Sequence, residues 1–271
     1  MRENTNMFAV IGHPIEHSLS PELHKIAFRM MDLDLCYTKI DVPPEKLDDF
    51  MKAAPLIFKG LNVTIPHKEK VMKYCERVDP LVEEVKATNT LKFGDVTECY
   101  NTDVKGVRIS IEDVVDPKGK KVAIVGAGGA ARAAVVAFYK DAEVAIFNRT
   151  FEKAQKLAKE FGVSAFPLSK YELLRNYDII INATPVGMDG KSTPFPPDVL
   201  REGQVVMDMV YRPLYTPLLL EAIRRGAIAV NGLKMLVIQG VESERVWLGR
   251  APPWRSVYSK LLVLLSSIIT S

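Results

Sequence analysis

The stretch that decides the fold is residues 121–150, KVAIVGAGGAARAAVVAFYKDAEVAIFNRT. Val122 to Val125 read as a short, wholly apolar strand, followed at once by Gly126-Ala127-Gly128-Gly129-Ala130-Ala131 in the form G-x-G-x-x-A. An Ala-rich helix to about Lys140 and a second strand, Val144 to Phe147, come next. This strand–turn–helix–strand context lifts a glycine motif above an ordinary glycine-rich turn. Gly126 permits the tight turn, Gly128 lets backbone approach a pyrophosphate, and Ala131 is small enough for close helix–strand packing. Free N–H groups and the positive end of the helix dipole then face the phosphates. The stretch predicts a dinucleotide site.

The second strand ends at Asn148-Arg149-Thr150, with Lys153 one helical turn on. A site for NAD usually places Asp or Glu here to accept from the ribose 2′-hydroxyl. A carboxylate would repel a 2′-phosphate, whereas a guanidinium and a hydroxyl bind it. The sequence therefore favours NADP. Thr150 is also placed to cap the helix beginning near Phe151.

Outward from this centre, strands alternate with helices at 163–166, 178–182, 205–209 and 227–230, completing a doubly wound sheet. Before it, Met7 to Ile11, Cys36 to Val42 and Gly60 to Ile65 read as strands. Helices are expected at 21–31, 45–53 and from Lys68 to about Cys75. Such alternation implies a mainly parallel sheet covered on both faces. The pattern then changes: residues 86–93 and 98–102 read as a strand pair around Gly94-Asp95, with Asp103 ending the second strand. Helices after Gly232 and from about Ser256 have no strand partners of their own. They are expected to return to the first sheet, giving a domain of residues 1–103 plus 233–271 into which a nucleotide domain, 104–232, is inserted. The cleft between two such domains is the default site for a small ligand.

With 271 residues, 48% apolar and 25% charged, the composition is that of an ordinary globular protein. A formal charge of +3 with no Lys/Arg run argues against nucleic acid. Cys36, Cys75 and Cys99 are scattered and never form C-x-x-C. They predict neither a disulfide framework nor a zinc site, and suit a reducing cytoplasm. The N-terminus lacks the basic-then-apolar pattern of a signal peptide. Leu261 to Ile269 is broken by Ser266-Ser267 and too short to span a bilayer, so it is expected to be a buried helix and no membrane partner is expected. The four histidines, His13, His17, His24 and His67, have no supporting ligand spacing and are expected in loop or capping roles, with no metal.

Polar residues gather at the predicted strand ends, where ligands of open α/β sheets bind. Ser18 and Ser20 follow the first strand and could donate to a carboxylate, although Ser20 also reads as a helix N-cap before Pro21. Asn62 and Thr64 share one face of the third strand. As polar groups in a strand that should be buried, they need partners, and a polyhydroxylated ligand is one source. Lys68, read as opening a helix where the dipole end is positive, is a candidate general acid/base. Asn89 and Asn101-Thr102-Asp103 complete the set, with Asp103 able to hold Lys68.

Together the segments H-S-x-S-P-x-x-H (17–24), N-V-T-x-P-x-K (62–68), A-T-N-T-L (87–91), N-T-D (101–103), G-A-G-G-A-A-R-A (126–133), N-R-T (148–150), N-A-T-P-V-G-M (182–188), D-M-V-Y-R-P (208–213) and N-G-L-K-M-L-V-I-Q-G (231–240) resemble the shikimate dehydrogenase family, in order and over nearly the whole chain. The resemblance implies a two-domain α/β protein with an inserted Rossmann-type domain. It implies NADP as cofactor and reversible reduction of 3-dehydroshikimate to shikimate, a step of chorismate and aromatic amino-acid biosynthesis. Lys68 and Asp103 would be the catalytic pair. Ser18 and Ser20 would bind the substrate carboxylate, and Asn62, Thr64, Asn89, Asp103 and Gln239 its ring hydroxyls, with Tyr211 nearby. Gly126, Ala127, Gly128, Gly129, Ala130, Asn148, Arg149, Thr150, Lys153, Thr184, Met209 and Gly232 would line the cofactor. A homodimer is the assembly it admits. The chain departs from the family pattern at Lys25, where Asn is usual, in Lys86-Ala87-Thr88-Asn89-Thr90, where G-A-V-N-T is more usual, and at Glu244, where an aromatic is common. Glu244 bears on how the helix after Gln239 covers the substrate. Two rivals share the scaffold: a quinate/shikimate dehydrogenase, and a non-catalytic NADP-binding regulator that would not need Lys68 and Asp103.

Overall fold

The computed structural model describes the backbone of residues 6–269 and the side chains of residues 6–266. It divides into two units, one of residues 1–102 and 237–271, the other of residues 103–236.

The first unit carries a six-stranded sheet in the order β2-β1-β3-β5-β6-β4. Its strands are β1 (Met7–Gly12), β2 (Cys36–Asp41), β3 (Gly60–Val63), β4 (Arg77–Val78), β5 (Thr90–Phe93) and β6 (Thr97–Tyr100). β1 lies parallel to β2 and β3, whereas β5 runs antiparallel to β3 and β6. The sheet is therefore mixed. The hairpin around Gly94 supplies the antiparallel part, because a tight turn can join only antiparallel strands. Helices α1 (Ser20–Met30), α2 (Leu47–Ile57) and α3 (Pro80–Val85) connect these strands. Ala9, Ile11, Leu61, Val63 and Leu91 form the apolar centre with Leu47, Met51 and Ala54 of α2.

The second unit has six parallel strands, β7 (Lys121–Val125), β8 (Glu143–Asn148), β9 (Ser164–Pro167), β10 (Ile179–Asn182), β11 (Val205–Asp208) and β12 (Ile228–Val230). Their order, β12-β11-β10-β7-β8-β9, reverses direction at β7, next to the glycine turn. Its helices are α4 (Asp103–Glu112), α5 (Gly129–Phe138), α6 (Phe151–Phe161) and α7 (Pro217–Arg224). Every residue of β10 and β11 is buried, as a strand covered on both faces requires. α8 (Gly232–Leu248) and α9 (Trp254–Ile269) close the chain.

Several local expectations are corrected. The segment after Lys68 forms only a short 3₁₀ turn, Lys70–Tyr74, so Lys68 lies in a turn and no α-helix dipole acts on it. Asp103 stands in the first turn of α4 rather than ending a strand, favourably for a carboxylate. Leu19 is the N-cap of α1, with Ser20 already helical. Thr150 occupies the N-cap position of α6, but its side chain makes no capping bond. β5 begins at Thr90, which leaves Asn89 just outside the strand. α9 buries Val257 and Leu261 yet exposes Val263 and Leu264, so it is a surface helix, and it packs on α1. Among the described residues no helix is long and apolar enough to cross a membrane.

The cysteines depart furthest from expectation. Cys75 and Cys99 form a disulfide, their Cα atoms 5.7 Å apart, and only Cys36 is free, at an exposed position. Spacing gave no sign of it, because the two residues meet only when the segment after the 3₁₀ turn runs alongside β6. One histidine is also neither a loop nor a capping group: His24 lies inside α1 and is fully buried. His67 lies in the loop after β3, as expected, but is buried there, its Nε2 2.6 Å from the Val42 carbonyl.

Candidate active site

In the first unit, α8 binds the polar residues at the strand ends. Gln239, Ser243, Glu244 and Trp247 fall within little more than two turns, and each reaches a different partner. The Asn89 amide donates to Gln239 Oε1 at 3.2 Å, and the Asn62 amide donates to Ser243 Oγ at 2.9 Å. Ser243 donates in turn to the Gln239 carbonyl, one helical turn back, at 3.0 Å. Trp247 Nε1 donates to the Leu91 carbonyl at 2.8 Å. A side chain at Gly60 would collide with that indole, so glycine is required there by close approach.

Asn62 is held from both ends of its side-chain amide. Its amide nitrogen also donates to the Asn89 carbonyl and to Thr90 Oγ1, both at 3.1 Å, while its carbonyl oxygen accepts from the Tyr37 hydroxyl at 2.7 Å. Asn89 is fixed in the same way: its side-chain oxygen accepts from the Thr102 backbone at 2.8 Å, and its nitrogen donates to Thr102 Oγ1 at 2.9 Å. Ser18, Ser20, Asn62 and Asn89 are all buried, and Thr64 and Lys68 are half-buried. Lys68 is tied locally, its carbonyl accepting from Thr88 N at 2.9 Å. Buried polar groups held this closely make a preformed surface for hydroxyls and a carboxylate.

Tyr37 is a residue that sequence reasoning missed. It lies on β2, its hydroxyl bonds Asn62, and the Ser20 hydroxyl lies beside it. Burial pushes its phenol well above the ordinary tyrosine range. The strand CYTKID alternates with no unusual feature, so only the fold could show that residue 37 meets residues 20 and 62. Behind Tyr37 the His24 ring stacks at 4.1 Å between centroids and 16° between planes. His24 Nδ1 lies 2.8 Å from Glu244 Oε1, and both side chains are completely buried.

In the second unit the glycine turn has the geometry its sequence predicts. Gly126 has φ +122°, and a Cβ there would press on the Ala183 carbonyl at 3.1 Å. A Cβ at Gly128 or Gly129 would meet nothing within 4 Å, so the space above the turn is open. No side chain caps α5, which leaves its first N–H groups for a ligand. At the end of β8 the Asn148 amide donates to the Thr150 carbonyl at 2.8 Å, and Arg149, Thr150 and Lys153 are exposed. The residues fit a dinucleotide with a 2′-phosphate: an open cradle, free N–H groups, two cations and no carboxylate at the strand end.

Thr184 and Met209 leave adjacent strand ends. Asn182 Oδ1 accepts from the Thr184 backbone at 3.1 Å and from its hydroxyl at 2.7 Å. The buried Asp208 carboxylate accepts from the Asn182 amide at 2.9 Å, Val210 N at 3.0 Å and the Thr216 hydroxyl at 2.6 Å. Burial outweighs those bonds and pushes Asp208 up to about 6. A Cβ at Gly232 would overlap the Met209 carbonyl, which explains glycine at the start of α8. Tyr211 is half-buried beyond β11. Among the described residues no group of His, Cys, Asp and Glu could hold a metal ion.

A parallel sheet that reverses beside an open glycine turn defines a dinucleotide-binding α/β protein, here joined to a second sheet with a polar, ligand-ready face. Two family models match: the shikimate dehydrogenase substrate-binding domain over residues 10–91, and the shikimate/quinate 5-dehydrogenase over residues 110–187. The NADP(+) shikimate dehydrogenase of Ignicoccus hospitalis is 61% identical across 96% of this chain and 100% of its own. A shikimate dehydrogenase crystallised with NADP+ superposes with a TM-score of 0.89 at 40% identity, covering 94% of both chains. The Thermus thermophilus shikimate 5-dehydrogenase in complex with NADP(H) and shikimate gives 0.88 at 36% identity, covering 93% of this chain and 97% of that one. The chain belongs to the shikimate dehydrogenase family.

Proposed function

We propose that the chain interconverts 3-dehydroshikimate and shikimate with NADP as the hydride carrier, and that Lys68 and Asp103 handle the proton. Membership of the family makes it an oxidoreductase acting on a CH–OH group. The observation that carries the substrate reading is the fixed polar set of Asn62, Asn89 and Gln239, held by Tyr37, Ser243 and Thr102.

In this reading Ser18 and Ser20 take the substrate carboxylate. Asn62, Thr64, Asn89, Asp103 and Gln239 take its hydroxyls, with Tyr211 nearby. Bound NADP supplies or accepts hydride. Its pyrophosphate rests on the turn of Gly126, Ala127, Gly128, Gly129 and Ala130, and its 2′-phosphate on Asn148, Arg149, Thr150 and Lys153. Thr184, Met209 and Gly232 line the remainder. In the reductive direction the carbonyl oxygen gains charge as hydride arrives, and Lys68 Nζ delivers a proton to it. Asp103 orients Lys68 and accepts from a substrate hydroxyl. The proposed location is the cytoplasm, as one of the intracellular proteins that keep a structural disulfide. The proposed assembly is a homodimer, which light scattering would read.

Initial rates with shikimate and with quinate, each with NADP and with NAD, test the assignment. Turnover is expected to be highest with shikimate and NADP. Preference for quinate, or equal use of NAD, would overturn the corresponding half.

A further inference from the structure

Two fully buried ionisable side chains, Glu244 of α8 and His24 of α1, lie in contact in the first unit, and the proposed chemistry uses neither. Burying them is unfavourable. Taking a carboxylate and an imidazole from water costs more than their mutual attraction readily returns, so such a pair is weak evidence for stability. The pair is also incompletely satisfied: His24 Nε2 and Glu244 Oε2 have no hydrogen-bond partner among the described residues. Burial pushes the Glu244 carboxyl above its ordinary range, against the pull of His24. An apolar pair would pack here at lower cost, so what this pair does must be sought in what it touches.

It touches one thing of consequence. The imidazole lies flat on the Tyr37 ring, 16° from parallel, with Phe28 and Trp247 at 5.8 and 5.6 Å closing its other sides. The bond to Glu244 fixes the plane of His24, because an imidazole anchored at Nδ1 cannot turn about its χ2 axis without losing it. The stacked ring then fixes the plane of Tyr37. The direction of the Tyr37 hydroxyl follows, and that hydroxyl joins Ser20 to Asn62. Ser20 N in turn donates to Ser18 Oγ at 3.3 Å. Two of the residues proposed to hold substrate, Ser20 and Asn62, therefore meet at one phenol. Glu244 also follows Ser243, the second residue of α8 that fixes Asn62. Adjacent residues of one helix thus hold Asn62 from both ends of its amide, Ser243 at the nitrogen directly and Glu244 at the oxygen through two rings.

We propose that Glu244, acting through His24 and Tyr37, is a positioning residue that sets substrate recognition by fixing Ser20 and Asn62. The inference rests on the assignment of Ser20 and Asn62 to substrate. Glu244 touches neither substrate nor cofactor. Its effect belongs to the binding of the hydroxy acid, not to hydride transfer or NADP affinity.

Three variants test this. Glu244→Leu removes the acceptor and leaves His24 Nδ1 unpaired. Glu244→Gln keeps an acceptor of the same reach. Tyr37→Phe keeps the ring stack and deletes the hydroxyl that bonds Asn62. Glu244→Leu should raise KM for shikimate about tenfold, with kcat and KM for NADP within about twofold, the signature of lost uniform binding. Glu244→Gln should restore most of the loss. Tyr37→Phe should raise KM for shikimate similarly, and the double variant Tyr37→Phe/Glu244→Leu should add little, since both break the same chain of contacts. An unchanged KM for shikimate would overturn the proposal, and so would equal losses in KM for NADP or kcat, or fully additive effects. The side-chain amide resonance of Asn62, read by NMR without ligand, separates this inference from the assignment beneath it. It should shift in Glu244→Leu and return in Glu244→Gln. An unmoved resonance would overturn the positioning role. If the parent enzyme failed to turn over shikimate while the resonance behaved as expected, the positioning would stand and the substrate assignment would fall. Should Glu244→Leu not fold, Tyr37→Phe carries the same decision: an unchanged KM for shikimate overturns the proposal.

Discussion

Lys68 shows how a candidate can rest on a reason the structure does not keep. Its sequence context, N-V-T-I-P-H-K, suggests the start of a helix and an unfavourable dipole. In the structure it lies in a turn after β3, half-buried, its carbonyl tied to Thr88. What remains is its place beside a polar strand end. Lys68→Ala should lower kcat about 10²–10⁴-fold, the usual worth of a positioned acid/base, with much smaller changes in KM. Steady-state kinetics at saturating NADP measure this, and a variant with near-parental kcat would end the role. Other residues are legible for sound reasons. The glycine motif predicts a tight turn at Gly126, and its φ is +122°. Tyr37 and Glu244 are not legible as a pair, because nothing local ties residue 37 to residue 24, or residue 24 to residue 244.

At the scale of elements, apolar period and turn chemistry find nearly every strand. Ends are lost where tertiary contacts decide them, as at Ser20, Asp103 and Thr90. The ends of β10 and β11 show what such contacts do. Asn182 and Asp208 are register partners across the two strands, and Asp208 also gathers Val210 and Thr216. One buried carboxylate thus ties together the loops that carry Thr184 and Met209. Its pKa of about 6 lies above the ordinary value of 3.8, so the folded state binds this proton more tightly than the unfolded chain does. The stability it contributes is full below about pH 4 and is lost as pH rises through about 6. A tenfold difference in proton affinity between folded and unfolded chain is worth about 1.4 kcal/mol. Relative to Asp208→Asn, the parent should therefore gain about 2.4 kcal/mol between pH 7 and pH 4. Urea unfolding of both proteins across that range measures it, and a difference that does not change with pH would refute it.

For the whole molecule, alternation of strand and helix makes the α/β class and the doubly wound sheet readable, because periodicity is local. The disulfide is not readable, because Cys75 and Cys99 become neighbours only through the sheet. They are 24 residues apart, and closing a loop of that size removes about 3.5 kcal/mol of unfolded-chain entropy. Reduction should lower Tm by about 10 °C for a chain of this size. Calorimetry with and without reductant measures the shift, and a thiol count on the denatured protein should find one free cysteine rather than three.

The return of the chain to its first sheet orders its synthesis. A nascent chain that has emerged as far as Leu236 holds every residue of the second unit. It does not yet hold Gln239, Ser243, Glu244 or Trp247, so Asn89, Asn62, His24 and the Leu91 carbonyl cannot close their bonds to α8. The part made second can finish first. The part begun first waits, with its polar floor half built, for α8 and α9 to leave the ribosome.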